Sequence, residues 1–446
     1  MLLQMGVSIV ILRLLTPEQM GIMAIPVVFS SLALVMVDSG FSQTLIRKAV
    51  PSEEDYKSVF VFNIAVSVLL YLLLVGAMPW IARFYGMPEL VRIAPVLFLL
   101  VPLNALCVIQ NTIFTRQFRF ARLSKVVFTS SLVSGLVAIG MAWAGCGIWS
   151  LVGQRVVAMG VRAMLLWGLS DWRPRAAFDA GRLRAMAPYS FRLLATDLIS
   201  SVYNNVSQLF VGKLYAADVL GFFNQAQKLK ELPVTSTMQA VQSVTFPALS
   251  KIADDERKFA ESYRQVVMIV AFVMLPMMAG LIGEKWMPMV PYFQVISLAG
   301  MFAPIATVSN NVLKVKSNGR IIVRLEVVKK VVMTLVLILT IPHSVLAVTW
   351  GLSAMAFFEM ILNFGATTRY AGLTAGRFLR TLLPIASATA AMFGVVWAFG
   401  HFTSFAPLPT FLLKVAVGVV CYAGFGALFR LEAMRVAWEL VKKLFR

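Results

Sequence analysis

The stretch SVFVFNIAVSVLLYLLLVGAMPWIA, residues 58–82, contains no charged side chain. A bilayer hydrocarbon core of roughly 30 Å requires about 20 apolar residues in a helix, so this stretch is long enough to cross a membrane. The whole chain has the same character, because 59% of its residues are hydrophobic and only 13% are charged. Such a composition predicts an all-α integral membrane protein rather than a soluble one.

Similar apolar windows recur along almost all of the 446 residues and predict about fourteen transmembrane helices. The connections between the windows are short, so we expect no soluble domain. The windows lie near residues 1–15, 19–37, 58–82, 89–113, 124–143, 148–169, 188–211, 218–248, 265–282, 287–312, 319–341, 344–366, 378–399 and 409–429.

Lysine and arginine are distributed unevenly between the two sets of connections. The set that includes residues 38–57 carries twenty-seven of them, and the opposite set carries five. The positive-inside rule places the richer set, and with it both termini, in the cytoplasm. Alternation of basic residues between connections also argues against a nucleic-acid-binding surface, although the net charge is +20.

Two segments resemble one another at a distance of 200 residues: LLTPEQMG, residues 14–21, and LYAADVLG, residues 214–221. They lie where spans 1 and 2 meet and where spans 7 and 8 meet, which favours a six-span unit repeated in parallel over chance similarity. We therefore expect an N-terminal six-helix lobe, a cytoplasmic linker, a C-terminal six-helix lobe, two additional transmembrane helices and an amphipathic cytoplasmic tail helix. These parts comprise residues 1–170, 171–187, 188–370, 371–430 and 431–446.

The segment GFFNQAQKLKELP, residues 221–233, is polar within this apolar chain. On a helix, Asn224, Lys228 and Glu231 lie on a single stripe with Gln227 beside it, which continues to Thr235, Gln239 and Gln242, and span 7 carries a similar stripe. Because a charged group costs roughly 2.5–3.5 kcal/mol at the bilayer centre, the stripes should not face lipid. A water-filled cavity is the favoured interpretation, and a dry polar interface is the alternative. The expected lining residues are Asp197, Asn204, Gln208, Asn224, Gln227, Lys228, Glu231 and Gln239.

Span 6 adds two basic side chains, Arg155 and Arg162, which are seven residues apart and so share a face. Arg155 is expected either to bind an anion in the cavity or to pair with an acidic residue. Arg162 lies nearer the cytoplasmic end, where it could instead extend to the interface. Lys228 and Glu231 have an alternative role as well, since a spacing of three residues lets them neutralise each other.

Two further charged residues are candidates for gating or ion coupling, namely Arg13 and Asp38. Arg13 sits at the outer end of span 1, where an interfacial anchor is the simpler interpretation. Asp38 ends an otherwise apolar span 2. No catalytic residue, metal site or cofactor site is predicted, because the sequence has neither a histidine or cysteine cluster nor a phosphate-binding glycine loop.

Several ordered motifs resemble one known family. They are RLLTPEQMG, DSGFSQTLI, ARFYGMPEL, GIWSLVGQ, WRPRAAF, VGKLYAADVLGFFNQAQKLKELPV and TFPALSKI, between about residues 8 and 330. Together they resemble the polysaccharide-export branch of the multidrug/oligosaccharidyl-lipid/polysaccharide exporter superfamily. These proteins are bacterial inner-membrane flippases of lipid-linked sugar repeats.

The resemblance implies a V of two six-helix lobes with two further helices, and alternating access between cytoplasm and periplasm. Its implied substrate is an oligosaccharide on undecaprenyl pyrophosphate, such as an O-antigen, exopolysaccharide or capsule unit. Lys228 stands where the family often has Arg, and Arg162 matches a recurrent basic position. Ser207 stands where many relatives have Asp, which puts an ion-coupling role at that position in doubt. Span 1 and span 9 are shorter than the family pattern.

Three functions remain open at this stage. The leading hypothesis is a flippase that acts as a monomer, contacts membrane lipids and works beside a polysaccharide polymerase and glycosyltransferases. The alternative is an ion-gradient-driven exporter of small amphipathic cations, for which Asp38, Asp197 and Glu231 are the acidic candidates. A third is a scaffold of a polymer-assembly complex that transports nothing.

Overall fold

A computed structural model of the chain describes most of its residues, and every regular element within them is helical. The described residues are 7, 10–38, 40–231, 234–235, 264, 288–316, 320–371, 375–402 and 407–428. In chain order the helices are α1 (Pro17–Asp38), α2 (Phe41–Arg47), α3 (Glu53–Tyr85), α4 (Leu90–Phe98), α5 (Leu100–Arg116), α6 (Phe120–Trp143), α7 (Trp149–Leu169), α8 (Ala180–Leu214), α9 (217–231), α10 (Val290–Lys316), α11 (Arg320–Thr340), α12 (Val345–Ala371), α13 (Ala375–Phe402) and α14 (Pro407–Leu428).

Six helical segments among the described residues are long and apolar enough to cross a membrane. The predicted all-α, multi-pass membrane class is therefore confirmed. The count of fourteen spans stays a prediction, because several described helices, among them α7, α8 and α11, are not among the six, and span 9 and much of span 8 lie outside the described residues. The six segments are Pro17–Arg47, Glu53–Tyr85, Leu90–Arg116, Phe120–Trp143, Val290–Asn310 and Val345–Thr368.

The chain divides into two compact units, residues 1–224 and residues 225–446. In the first unit, α6 packs on α7, α3 packs on α5, and α1 packs on α8. In the second unit, α12 packs on α10 and on α11, and α13 packs on α14. Each unit is thus a helical bundle, and the first one contains most of the residues predicted to have a function.

Helix α3 shows how the sequence suits lipid as its solvent. Asn63 and Ser67 on this helix are fully buried, whereas Leu69, Leu72 and Leu73 are 57%, 61% and 58% exposed. A soluble bundle would bury the leucines and expose the amide. In a bilayer, the leucines can face acyl chains, while small and polar side chains pack between helices.

A buried carboxylate fixes one end of the first unit. Ser52 begins α3 with a capping box, in which the Asp55 carboxylate accepts a hydrogen bond of 2.8 Å from the Ser52 backbone N–H. Asp55 is fully buried and also accepts from Lys48 Nζ at 2.6 Å and from Arg182 Nη1 at 3.4 Å. One carboxylate therefore joins the segment after α2, the start of α3 and the start of α8.

The two similar segments found in the sequence contact each other in the structure. Gly21 of α1 lies so close to α9 that a Cβ atom there would be 1.6 Å from the carbonyl oxygen of Ala217. In the opposite direction, a Cβ atom on Gly221 would be 1.9 Å from the carbonyl oxygen of Pro17. Both glycines belong to the first unit, and their contact is reciprocal. Only residues without a side chain allow the two backbones to approach this closely.

Candidate functional site

The polar stripe of span 7 lies on α8, and its exposure varies along the helix. Asp197 and Asn204 are exposed, and Gln208 is half-buried. Gln208 Nε2 donates a hydrogen bond of 3.4 Å to the backbone carbonyl of Ala24 on α1. One end of the stripe therefore packs against α1, while the acidic end is open.

The stripe of span 8 lies on α9, as far as the described residues reach. Asn224 is buried, Gln227 and Lys228 are half-buried, and Glu231 is exposed. Gln239 lies outside the described residues. The exposure of these side chains thus increases along the helix. The pairing of Lys228 with Glu231 stays a prediction.

The two arginines of span 6 lie on α7 in different surroundings. Arg162 is half-buried and Nη2 donates to Asn111 Oδ1 of α5 at 3.4 Å, while its Nε atom is buried without a partner among the described residues. Arg155 is also half-buried. It makes no hydrogen bond or ion pair with the part of the chain that the structure describes. A guanidinium in this position retains its capacity to bind an anion.

The candidates for gating or ion coupling lie apart from one another. Arg13 is exposed. Asp38 is half-buried at the end of α1, where it is hydrogen-bonded to Ser42 and interacts electrostatically with Asp197 of α8. Asp38 and Asp197, both in the first unit, are thus close enough to interact electrostatically. One oxygen of Asp38, Oδ1, is buried without a hydrogen-bond partner among the described residues.

Two fully buried amides in the first unit were missed in the sequence. The side-chain oxygen and nitrogen of Asn63 on α3 and of Gln110 on α5 are buried, and none has a hydrogen-bond partner among the described residues. The two helices pack against each other. Unsatisfied buried amides are uncommon, because each lost partner costs about 1–3 kcal/mol. The available signal was the presence of amide side chains inside two otherwise apolar spans.

A second missed feature is a group of charged residues in the second unit. Glu326 and Lys329 lie on α11 and form an ion pair of 2.8 Å, and Glu359 lies on the neighbouring α12. The available signal was the presence of acidic and basic residues inside two predicted spans. Charges at such a depth are costly and by default indicate function.

Comparison with solved structures shows the fold to which these helices belong. The lipid II flippase MurJ in its inward closed conformation superposes with a TM-score of 0.71 over 96% of this chain and 98% of that protein. The two sequences are 12% identical. At this identity the similarity establishes a common fold.

Curated relatives are proteins of cell-surface polysaccharide synthesis. The teichuronic acid biosynthesis protein TuaB of Bacillus subtilis is 24% identical over 87% of this chain and 84% of its own length. The succinoglycan biosynthesis transport protein ExoT of Rhizobium meliloti is 23% identical over 67% of this chain and 63% of its length. The lipopolysaccharide biosynthesis protein WzxC of Escherichia coli is 21% identical over 72% of this chain and 68% of its length.

The sequence also matches a defined protein family over residues 10–284, which is more than half of the chain. The match includes the Gly21 and Gly221 segments, both arginines of α7 and the polar stripe of α8. With the fold shared with MurJ and the relatives above, it shows that this chain belongs to the family of polysaccharide biosynthesis proteins.

Proposed function

We propose that this protein is a flippase that moves undecaprenyl-pyrophosphate-linked oligosaccharide repeat units from the cytoplasmic to the periplasmic face of the bacterial inner membrane. The polar sugar head would pass along a hydrophilic pathway while the lipid tail stays in the bilayer. Family membership and the fold shared with a lipid II flippase support the substrate class. The distribution of lysine and arginine supports cytoplasmic termini.

The surroundings of Arg155 support a phosphate-containing substrate independently of family membership. This half-buried guanidinium on α7 has no partner among the described residues. Leaving a charge unpaired at such a depth is unfavourable unless a ligand or water compensates it. A pyrophosphate is a suitable ligand, because guanidinium groups bind phosphate oxygens through two parallel hydrogen bonds.

The polar faces of α8 and α9 would complete the pathway. Asp197 and Asn204 are open, and Lys228 offers a second cation on α9. Hydroxyl and amide groups bind sugars, and basic groups bind the anionic linkage. We propose alternating access as the mechanism, with no chemical reaction on the substrate. A single copy of the chain would provide the pathway, and polymerase and glycosyltransferases would act beside it.

Replacing Arg155 and Lys228 together by alanine is expected to abolish surface polysaccharide. Each hydrogen bond to a charged group contributes about 1.5–3 kcal/mol, so losing both cations should lower transport by at least about a hundredfold. The measurement is polymer on cells of a deletion strain that expresses the variant, with the membrane level of the protein determined in parallel.

Arg92→Ala is the matched control, because Arg92 is an exposed basic residue outside the proposed pathway. This variant should produce as much polymer as the parent chain. Normal polymer in the Arg155→Ala, Lys228→Ala double variant would contradict the roles of these two residues. A deletion strain that still makes all its surface polymers would contradict the flippase itself.

The proximity of Asp38 and Asp197 favours one second candidate, an ion-gradient-driven exporter of small amphipathic cations. Two carboxylates in the first unit could bind a cation that the basic residues would repel. Under this alternative, deletion should increase sensitivity to cationic drugs and leave polysaccharide intact. Loss of polysaccharide with unchanged drug sensitivity would reject it.

A further inference from the structure

The second unit contains a group of charged side chains that the proposed pathway does not use. Lys329 of α11 is only 5% exposed, and its Nζ atom donates to Glu326 Oε1 at 2.8 Å. Glu359 of α12 is half-buried and interacts electrostatically with Lys329, Glu326 and Lys330. Its carboxyl group makes no hydrogen bond or short ion pair within the described residues. One buried cation is thus close to two carboxylates but is bonded to only one.

The packing of the two helices explains why Glu359 is close to Lys329. Helices α11 and α12 are joined by a short turn, and a Cβ atom on Gly351 would lie 2.7 Å from Val336 Cγ1 and 3.0 Å from Thr340 Cγ2. From this crossing, Glu359 lies about 12 Å further along α12, and Lys329 lies about 10 Å back along α11. In an antiparallel pair these positions are at the same level and on the facing sides.

The level of this charge group is inside the membrane. Helix α12 contributes the candidate span Val345–Thr368. Glu359 lies about 21 Å along the helix from Val345, well inside a hydrocarbon core of roughly 30 Å. Among the helices that the structure describes, the other main neighbour of α12 is α10, which has no Asp, Glu, Lys, Arg or His between residues 290 and 313. Within the described residues, the charged groups that interact with Glu359 are therefore Glu326, Lys329 and Lys330 of α11.

We infer that Glu359 is a proton-binding site inside the membrane, with Lys329 as a counter-ion that moves between Glu326 and Glu359. When the Glu359 carboxylate takes a proton from water it becomes neutral, and Lys329 pairs with Glu326, as the structure shows. When the proton returns to water, Glu359 becomes an anion that attracts Lys329. The lysine remains protonated in both states, so one proton and one unit of charge are exchanged.

This arrangement provides a way to couple a proton gradient to movement of α11 against α12. In this respect the inference rests on the proposed function, because flipping would be the work that the gradient drives. When Lys329 leaves Glu326 on its own helix for Glu359 on the next, an ion pair forms between α11 and α12, so the two states can favour different arrangements of these helices. Such a shift can be biased only by a ligand that binds the two states differently, and the proton meets this condition.

Infrared spectroscopy of the purified chain tests the site without any substrate. The protein is placed in vesicles of phosphatidylethanolamine and phosphatidylglycerol, and spectra are compared between about pH 5 and about pH 9, which covers carboxyl groups in apolar surroundings. The parent chain should show a protonated-carboxyl band that grows as the pH falls. Glu359→Gln should lose this band. Glu326→Gln, which removes a carboxyl of higher exposure from the same group, should keep a band but move it to lower pH, because Lys329 then has only Glu359 as a partner.

Two further variants protect the test against misfolding of Glu359→Gln. Glu359→Asp retains a carboxyl and should retain a band. Lys329→Met should retain the band but shift the pH at which it appears by at least about one unit. A band that persists in Glu359→Gln, or its absence from the parent chain, would overturn the proton site. An unshifted band in Lys329→Met would overturn the counter-ion role.

Polysaccharide measurements separate this inference from the proposed function. In the deletion strain, Glu359→Gln should lower surface polymer at least about tenfold, whereas Glu89→Gln, which removes an exposed carboxyl outside this charge group, should retain it. Normal polymer with Glu359→Gln would overturn the coupling role. If the parent chain itself does not restore polymer, the flippase proposal fails, and the infrared result still decides whether Glu359 binds a proton.

Discussion

Gly21→Ala is expected to lower the melting temperature of the purified protein by roughly 5 °C or more, and Gly221→Ala should do the same. A methyl group at either position would overlap the carbonyl oxygen of Ala217 or of Pro17, at 1.6 Å and 1.9 Å respectively. A backbone carbonyl cannot rotate away as a side chain can, so α1 and α9 must separate. Overpacking of this kind costs about 3 kcal/mol, at the upper end of what buried substitutions cost. Thermal unfolding in detergent measures the effect.

Gly76→Ala is the matched control, because Gly76 also lies inside a long helix but has nothing within 4 Å of an added Cβ atom. This substitution should leave the melting temperature unchanged or raise it slightly, since alanine is favoured over glycine in helices by about 0.5–1 kcal/mol. If Gly21→Ala melts like Gly76→Ala, the close contact of α1 with α9 is not part of the resting structure.

Asp55→Ala is expected to destabilise the first unit by about 2–3 kcal/mol. The substitution removes a buried acceptor that receives Lys48, Arg182 and the Ser52 backbone. Breaking a buried ion pair costs roughly 3–5 kcal/mol. A smaller loss is expected here, because Lys48 and Arg182 are 39% and 38% exposed and can regain water. Thermal unfolding and protease resistance of the purified protein measure the loss.

The neighbouring Glu54→Ala provides the control with the same change in charge. Glu54 lies in the same turn and is 3.6 Å from Arg182, but its side chain is 41% exposed. Exposed ion pairs contribute little to stability, so this variant should unfold close to the parent chain. Equal destabilisation by both variants would show that the charge of the turn matters and the burial of Asp55 does not.

The membrane class of the fold could be predicted from the sequence because it depends on composition over long windows. The uncharged stretch of residues 58–82 lies within α3, as hydropathy alone predicts. The alignment of Gly21 with Gly221 singled out two segments that the structure places in contact, and the six-span repeat itself stays a prediction. Their contact with each other was not predictable, because an alignment shows which residues are alike and says nothing of whether they touch.

The candidate site was predictable only in part, for a related reason. Helical periodicity placed Asp197 and Asn204 on one face, and the structure shows both exposed. Periodicity does not tell which neighbour a face meets, so the bond from Arg162 to Asn111 could not be foreseen. The interaction of Lys329 with Glu359 could not be foreseen either, because the sequence of one span does not tell which residues of the next helix lie at the same depth.

The reciprocal contact of α1 with α9 has a consequence for genetics. Each helix presents its glycine to a carbonyl of the other, which is the pattern of an isologous dimer interface in which one patch meets its own copy. A gene duplication that fused two such copies would leave this helix–helix contact within one polypeptide. The obstacle to a side chain at either glycine is main chain, so no single change of a facing side chain can make room. Second-site substitutions that suppress a Gly21 variant should therefore arise at positions that change the angle between whole helices.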